Sequence, residues 1–298
     1  MKQLTIISGK GGTGKTTIAA AFASLAENAV IADCDVDAAD MHLILHPDIL
    51  ETISFTGLDV ASIDESSCIQ CGKCKDACRF NAINDDITVN IYECEGCGVC
   101  EYICPEGAVS MVGRIAGDAY ISKTRFGPMA HAKLGIGEEA SGKLVSFVRN
   151  NARTLAEQQD KDMIIIDGPP GTGCAVIASI TGVDMVVIVT EPSVSGIHDL
   201  ERVLDVAGHF NIPAVVCVNK YDINEENTLL IGKYCSENGI EVVGKLPYDD
   251  TPTRAMLQAM TVVEYSNGDF STKVKDLWEN VRKHLYETSD HTLLMMAK

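Results

Sequence analysis

The stretch S-G-K-G-G-T-G-K-T-T, Ser8 to Thr17, decides how the rest of the chain is read. Before it lies an apolar run, Lys2 to Ile7, of the kind that makes a buried strand. After it comes T-T-I-A-A-A-F-A-S-L-A, a good helix. A glycine loop between strand and helix turns its backbone N–H groups toward a phosphate, and the helix N-terminus adds partial positive charge. Gly9 to Gly14 also satisfies G-x-G-x-x-G, which alone would fit a dinucleotide. Lys15 and Thr16 shift the reading to a P-loop, with lysine on the β/γ oxygens and threonine on Mg²⁺. The expected nucleotide contacts are Gly11, Gly12, Thr13, Gly14, Lys15, Thr16 and Thr17. The loop carries a second lysine, Lys10, at its front rim. A cation there either stands in solvent or neutralises charge on a phosphate, as an arginine finger does.

Working outward, A-V-I-A-D closes a βαβ unit at Asp33, whose natural setting is a parallel sheet covered by helices. Strands are predicted at D-M-I-I-I-D, D-M-V-V-I-V-T, A-V-V-C-V-N-K and E-V-V-G-K-L-P. Helices are predicted near residues 142–159, 175–180, 197–210, 226–237, 253–260 and 271–286. Asp167 ends the M-I-I-I-D strand, where an acidic partner for magnesium belongs. It is followed by the glycine-rich turn G-P-P-G-T-G-C. Asp33, Asp35 and Asp37 follow the second strand; one should orient the attacking water, while the others cap a turn.

Between about 60 and 112 the character changes. C-I-Q-C-G-K-C-K-D-A-C recurs 26 residues later as C-E-G-C-G-V-C-E-Y-I-C. Cys68, Cys71, Cys74 and Cys78 make C-x2-C-x2-C-x3-C, and Cys94, Cys97, Cys100 and Cys104 repeat it, with Pro105 after. This is the run of bacterial ferredoxins, in which the fourth cysteine ligates the other cluster. On that pattern Cys68, Cys71, Cys74 and Cys104 hold one 4Fe–4S cluster, and Cys94, Cys97, Cys100 and Cys78 the second. Zinc is the rival for all-cysteine sites. Arg79 stands where the second run has proline, as a surface residue or as a cation that raises one potential. The segment has nine acidic and three basic residues, an acidic face suited to a basic redox partner.

Several motifs together resemble the MinD/ParA/Mrp ATPases, over about residues 1–57 and 113–298. G-K-G-G-T-G-K-T-T resembles their deviant phosphate loop, and D-C-D-V-D-A-A-D-M-H their first switch, which places Asp35 on the catalytic aspartate. D-G-P-P-G-T-G is similar to the second switch, and T-E-P-S-V-S-G-I-H-D to a stretch lining the dimer face. V-N-K-Y-D puts Asn219 at the adenine-binding asparagine. L-P-Y-D puts Pro247, Tyr248 and Asp249 beside the base. The whole chain looks like the branch of these ATPases with an inserted ferredoxin domain. The resemblance implies a mostly parallel α/β P-loop domain, 1–57 and 113–298, with helices on both faces, and an inserted α+β two-cluster domain, 58–112. It implies ATP or ADP with Mg²⁺ as ligand, and hydrolysis of ATP. It also implies a homodimer, or a heterodimer with a related ATPase, in which Lys10 reaches the partner's phosphates. An ATP-gated electron carrier is the expected function; a cluster-assembly carrier and a cell-division positioning ATPase are the alternatives.

Composition narrows this further. The formal net charge of −18 argues against sequence-independent nucleic-acid binding and against docking on an anionic membrane. No apolar run reaches the ~20 residues of a membrane span, and no cleavable leader is visible, so a cytoplasmic protein is expected. Cys174 follows Asp167 by seven residues, at an offset where the nitrogenase iron protein bridges two subunits with a cluster. Gly113 to Gly142 contains no second cysteine for such a bridge, so Cys174 is expected to be a small switch residue. Cys34, Cys217 and Cys235 read as core residues, and His42, His46 and His198 as ordinary helix or cap residues. Pro128 to Val145, with His131, Glu138, Glu139 and Lys143, is expected to couple the cysteine segment to the switch loops. Gly113 to Gly142 is expected to be loops with a hairpin.

Overall fold

In the computed structural model, residues 1–135, 138 and 141–296 are described, with side chains up to 287. The apolar run Lys2–Ser8 is strand β1, at the middle of a nine-stranded sheet. The P-loop follows, then α1 (Lys15–Leu25), β2 (Ala29–Asp33) and α2 (Met41–Leu45). Two long strands come next, β3 (Asp48–Ile63) and β4 (Val109–Thr124), with the cysteine segment and its short helices α3 (Lys73–Ala77) and α4 (Val99–Ile103) between them. β5 (Gly127–Leu134) and α5 (Ser141–Gln158) lead into the second half. That half holds β6 (Met163–Pro170), α6 (Cys174–Ile180), β7 (Met185–Thr190), α7 (Val194–His209) and β8 (Ala214–Asn219). It ends with α8 (Glu225–Glu237), β9 (Glu241–Leu246), α9 (Thr251–Leu257), α10 (Val262–Tyr265) and α11 (Asp269–Met296).

The sheet order is β3-β4-β5-β2-β6-β1-β7-β8-β9. From β5 to β9 every neighbouring pair is parallel. Alternate residues of the central strands feed two cores. Ile7, Val30, Ala32, Ile164 and Ile166 face one, with α5 to α8. Leu4, Ile6, Ala29, Ile31 and Ile165 face the other, with α1, α2 and α11. Strands buried on both faces read as continuous apolar runs, which is why the sequence predicted them.

The antiparallel edge corrects the expectation for residues 113–142. β4 pairs antiparallel with both β3 and β5, so the expected hairpin is present as β4–β5, but most of that stretch is strand rather than loop. β3 opens with five exposed residues, Asp48 to Thr52, and buries only Phe55, Val60 and Ala61, a weaker signal than an apolar run. Residues 58 and 112, where composition changes, lie inside β3 and β4. The ladder continues from the main sheet into the cysteine segment, as far as Ile63 against Val109. There a small separate cluster forms around Ala61, Cys74, Ile83 and Val109. The sequence repeat is also a structural one. Gly72 and Gly98 both precede five-residue helices in the left-handed conformation, at φ 76° and 72°.

Among the described residues no helix is long and apolar enough to cross a membrane. The side chains of the closing T-L-L-M-M-A-K, and Glu139 of the 128–145 motif, lie outside the described residues.

Candidate nucleotide site and cysteine pockets

The P-loop turns into α1 through two left-handed glycines, Gly12 at φ 77° and Gly14 at φ 96°. Gly9 is needed for another reason: a Cβ there would stand 2.8 Å from the Asp199 backbone. Lys15, the first residue of α1, is buried, and its Nζ lies 3.2 Å from Asp35 Oδ2. Burial raises the Asp35 carboxyl, and Lys15 opposes that. Asp33 and Asp167 face each other across β2 and β6, both fully buried. Burial pushes Asp167 up to about 6, against the pull of Lys15 and the Thr16 hydroxyl. Asp33 is pushed well above the usual carboxylate range by burial and by Asp167.

Neither oxygen of Asp167 has a hydrogen-bond partner of standard geometry, nor does Asp33 Oδ2 or the Thr13 hydroxyl. Buried polar atoms left open in this way mark a place for a ligand. Hard oxygen donors beside a phosphate loop fit Mg²⁺, which takes one or two carboxylates and fills its shell with phosphate and water. Thr16 and Asp167 are the residues that would hold it.

A cleft of about 380 Å³ opens beside the loop. Gly12, Gly14, Thr17, Asn219, Pro247, Tyr248 and Asp249 line it, as the sequence led one to expect. Lys220, Thr253 and Phe270 join them without having been anticipated. Asn219 donates from Nδ2 to the Thr13 carbonyl at 2.7 Å, so its amide braces the loop. Tyr248 is largely exposed at the cleft mouth, a free ring for stacking on a base.

Lys10 does not stand in solvent. Its Nζ lies 2.7 Å from Glu191 Oε1 and donates to Ser193 and Ser195 Oγ, each at 3.0 Å. Lys220 also pairs with Glu191, at 3.0 Å, and donates to the Gly12 carbonyl. Burial works against the Glu191 carboxylate, yet the two lysines hold its pKa below the usual value. Glu191 was missed as a site residue, because it meets the loop only through the adjacency of β7 to β1.

The eight clustered cysteines gather into two pockets. Cys68, Cys71, Cys74 and Cys104 line one; Cys78, Cys94, Cys97 and Cys100 line the other. Each run gives three cysteines to one pocket and its fourth to the other. The remaining walls are mostly apolar, including Ile63, Ile69 and Pro105 in the first and Ile83, Val89 and Met111 in the second. Backbone N–H groups donate to sulfur from Gln70 to Cys68, Ala61 to Cys94 and Ala108 to Cys104, at 3.3 to 3.5 Å. Burial raises the Cys74 and Cys100 thiols. At Cys104 burial is outweighed by several backbone N–H groups, which lower it. Among the described residues no three His, Cys, Asp or Glu side chains converge on one metal ion. Four sulfurs ringing an apolar pocket, with N–H donors behind them, fit a larger thiolate-ligated group.

The other cysteines divide. Cys34, Cys217 and Cys235 are buried, and burial raises their thiols, those of Cys217 and Cys235 to about 12 and about 11. Cys174 is exposed at the start of α6. Arg79 is exposed. His131 is buried on β5, bonds Ser122 Oγ through Nε2 at 2.8 Å, and is lowered by burial to about 4.

A phosphate loop on a parallel sheet, with buried carboxylates on two adjacent strands, Asp33 at the end of β2 and Asp167 within β6, defines a P-loop nucleotide-binding protein. The CobQ/CobB/MinD/ParA nucleotide binding domain matches residues 4–262, and the chain belongs to that family. The uncharacterized protein MJ0578 of Methanocaldococcus jannaschii is 31% identical over 286 residues, 95% of this chain and 97% of that one. The septum site-determining protein MinD of Pyrococcus horikoshii, solved with Mg-ADP, has a similar fold. Its TM-score is 0.58 at 17% identity, covering 94% of this chain and 95% of that one. The MinC:MinD cell division complex of Aquifex aeolicus gives 0.57 at 17% identity, covering 95% and 96%. ATPases of the MinD/ParA family hydrolyse ATP, and the expected ATPase activity is consistent with membership.

Proposed function

We propose that the chain is an ATP-driven switch whose nucleotide state gates electron transfer, through two 4Fe–4S clusters, to a partner protein. The observation that carries this reading is the gathering of eight cysteines into two interleaved sets of four. Residues 58–112 are then an inserted ferredoxin-like domain, stapled to the ATPase sheet by β3 and β4. The clusters, when bound, supply one-electron chemistry. The N–H donors to sulfur favour the reduced, more negative state, while the apolar walls oppose it by excluding water.

At the nucleotide, Lys15 exchanges Asp35 for the phosphate oxygens. That frees the Asp35 carboxylate to orient the attacking water and take its proton. Thr16 and Asp167 would hold Mg²⁺, which would supply charge neutralisation at the phosphates. Asn219, Pro247, Tyr248 and Asp249 receive the base. Lys10 is released from Glu191 to meet the phosphates of a second subunit, either another copy or a related ATPase.

The test is anaerobic reconstitution with labelled iron, followed by ATP and an apo-protein acceptor. The expected result is ATP-dependent oxidation of the clusters with the label retained. Transfer of label would make the protein a cluster-assembly carrier. Absence of stable clusters would sink both readings. A second reading, a positioning ATPase, is favoured by the fold likeness to MinD, but it leaves the eight cysteines without a role. ATP-dependent recovery on liposomes would support it.

A further inference from the structure

The nucleotide site and the second cysteine set are joined by a short line of polar contacts. Val36, between Asp35 and Asp37, accepts a hydrogen bond from Leu134 N at 3.1 Å. The next residue, Gly135, donates to the Ala116 carbonyl of β4 at 2.7 Å, and its own carbonyl accepts from Glu138 N at 3.2 Å. Glu138 thereby turns its carboxylate onto Arg114 Nη2, at 2.5 Å. The pair is nearly enclosed, with side chains 8% and 13% exposed. The other arm of Arg114 donates to the Ile91 carbonyl, and the guanidinium lies 5.9 Å from the centre of the Tyr92 ring. Three residues after Ile91 comes Cys94, whose sulfur accepts from Ala61 N.

We propose that Arg114 and Glu138 are positioning residues that transmit nucleotide occupancy from the Asp35–Asp37 segment to the Ile91–Cys94 segment. This deepens the switch reading given above and rests on it. The device needs an element with two arrangements. The Asp35–Asp37 segment would supply it: Lys15 holds Asp35 at 3.2 Å here, and under the switch reading it gives up Asp35 for a phosphate. Moving Val36 moves the carbonyl that holds Leu134, and with it Gly135, whose carbonyl holds Glu138 N. Ile91–Cys94 has no strand or helix of its own, so it follows the cation that grips it. The set at Cys78, Cys94, Cys97 and Cys100 is therefore the one that senses nucleotide. The Ile69–Cys74 segment, which serves the first set, is the internal control.

The test is amide hydrogen exchange on the full chain, purified anaerobically, with and without Mg²⁺ and a non-hydrolysable ATP analogue. This readout does not depend on electron transfer. The nucleotide should change exchange across Ile91–Cys94 by about five-fold or more, the lower end of ordinary coupling between sites. Ile69–Cys74 should not respond. Glu138→Gln, an isosteric change, and Arg114→Gln should each remove the response while nucleotide affinity stays as in the native chain. Arg114→Lys, which keeps the charge, should keep part of it. A response that persists in Glu138→Gln, one shared equally by both segments, or none in the native chain would overturn the proposal. Iron and sulfide analysis of the same sample tests the cluster reading separately, since a chain without clusters still reports its exchange.

Discussion

At the scale of single residues, the carboxylates carry most of the information. Asp167 is buried with neither oxygen in a hydrogen bond of standard geometry and is raised to about 6, and Asp33 beside it is also raised well above the usual carboxylate range. A carboxyl whose folded pKa lies above its unfolded value costs stability as pH rises between the two. For Asp167 that window runs from about pH 4 to about pH 6. Mg²⁺ bound with nucleotide needs the ionised form and reverses the cost. The melting-temperature gap between Mg-nucleotide-bound and free protein should therefore widen as pH rises through about 6. His131, lowered to about 4, titrates in the opposite sense, but it is present in both states and cancels in the difference. Thermal scans in matched buffers check this, and a gap independent of pH would remove Asp167 from the metal site. In Asp167→Asn the gap should lose its pH dependence and most of its size.

At the scale of elements, legibility follows burial. β1, β2 and β6 to β8 were readable because both faces are covered and the apolar run has sharp ends, and β9 because its buried Val243 and Leu246 follow a clear apolar pattern. β3 and β4 were not, because their many exposed residues mix polar and apolar types, and β5 was not, because its buried stretch P-M-A-H-A is short and carries proline and histidine rather than a β-branched run. The P-loop itself was readable because it is one short continuous turn between β1 and α1. Glu191 and Lys220 were not, because they converge only after β7 and β8 are laid beside β1. The loop–helix junction itself yields a prediction. A Cβ on Gly14 would approach Asn219 Nδ2 at 2.5 Å, from a backbone at φ 96°. Gly14→Ala should cost about 1–2 kcal/mol from the left-handed backbone alone. It should also push the Asn219 amide off the Thr13 carbonyl and weaken nucleotide binding. Denaturant unfolding and nucleotide titration read the two effects apart. The cysteine repeat yields another. Cys78 sits at the end of the first run but lines the second pocket. After reconstitution, Cys78→Ser should perturb the spectroscopic signal shared with Cys94→Ser and spare the one shared with Cys68→Ser. The opposite grouping would mean each run closes on itself.

At the scale of the whole molecule, the sheet order puts both functional regions on one framework. β1 carries the loop at the centre, and β3 and β4 carry the cysteines from the edge. What the single chain leaves open is the destination of Lys10. Its pairing with Glu191, partly exposed, is worth about 1 kcal/mol at most. Its departure also leaves Glu191 with Lys220, so no buried carboxylate is stranded. The lysine is thus held loosely enough to be exchanged for a phosphate of a second subunit. Lys10→Ala should bind nucleotide as the native chain does, since Lys15 and the loop glycines are untouched. Sedimentation velocity should then show loss of the nucleotide-dependent dimer. Turnover should fall on the order of a thousand-fold, the scale of a removed arginine finger. A Lys10→Ala protein that still dimerises and hydrolyses ATP normally would confine Lys10 to what the isolated chain shows, a brace between the loop rim and the start of α7.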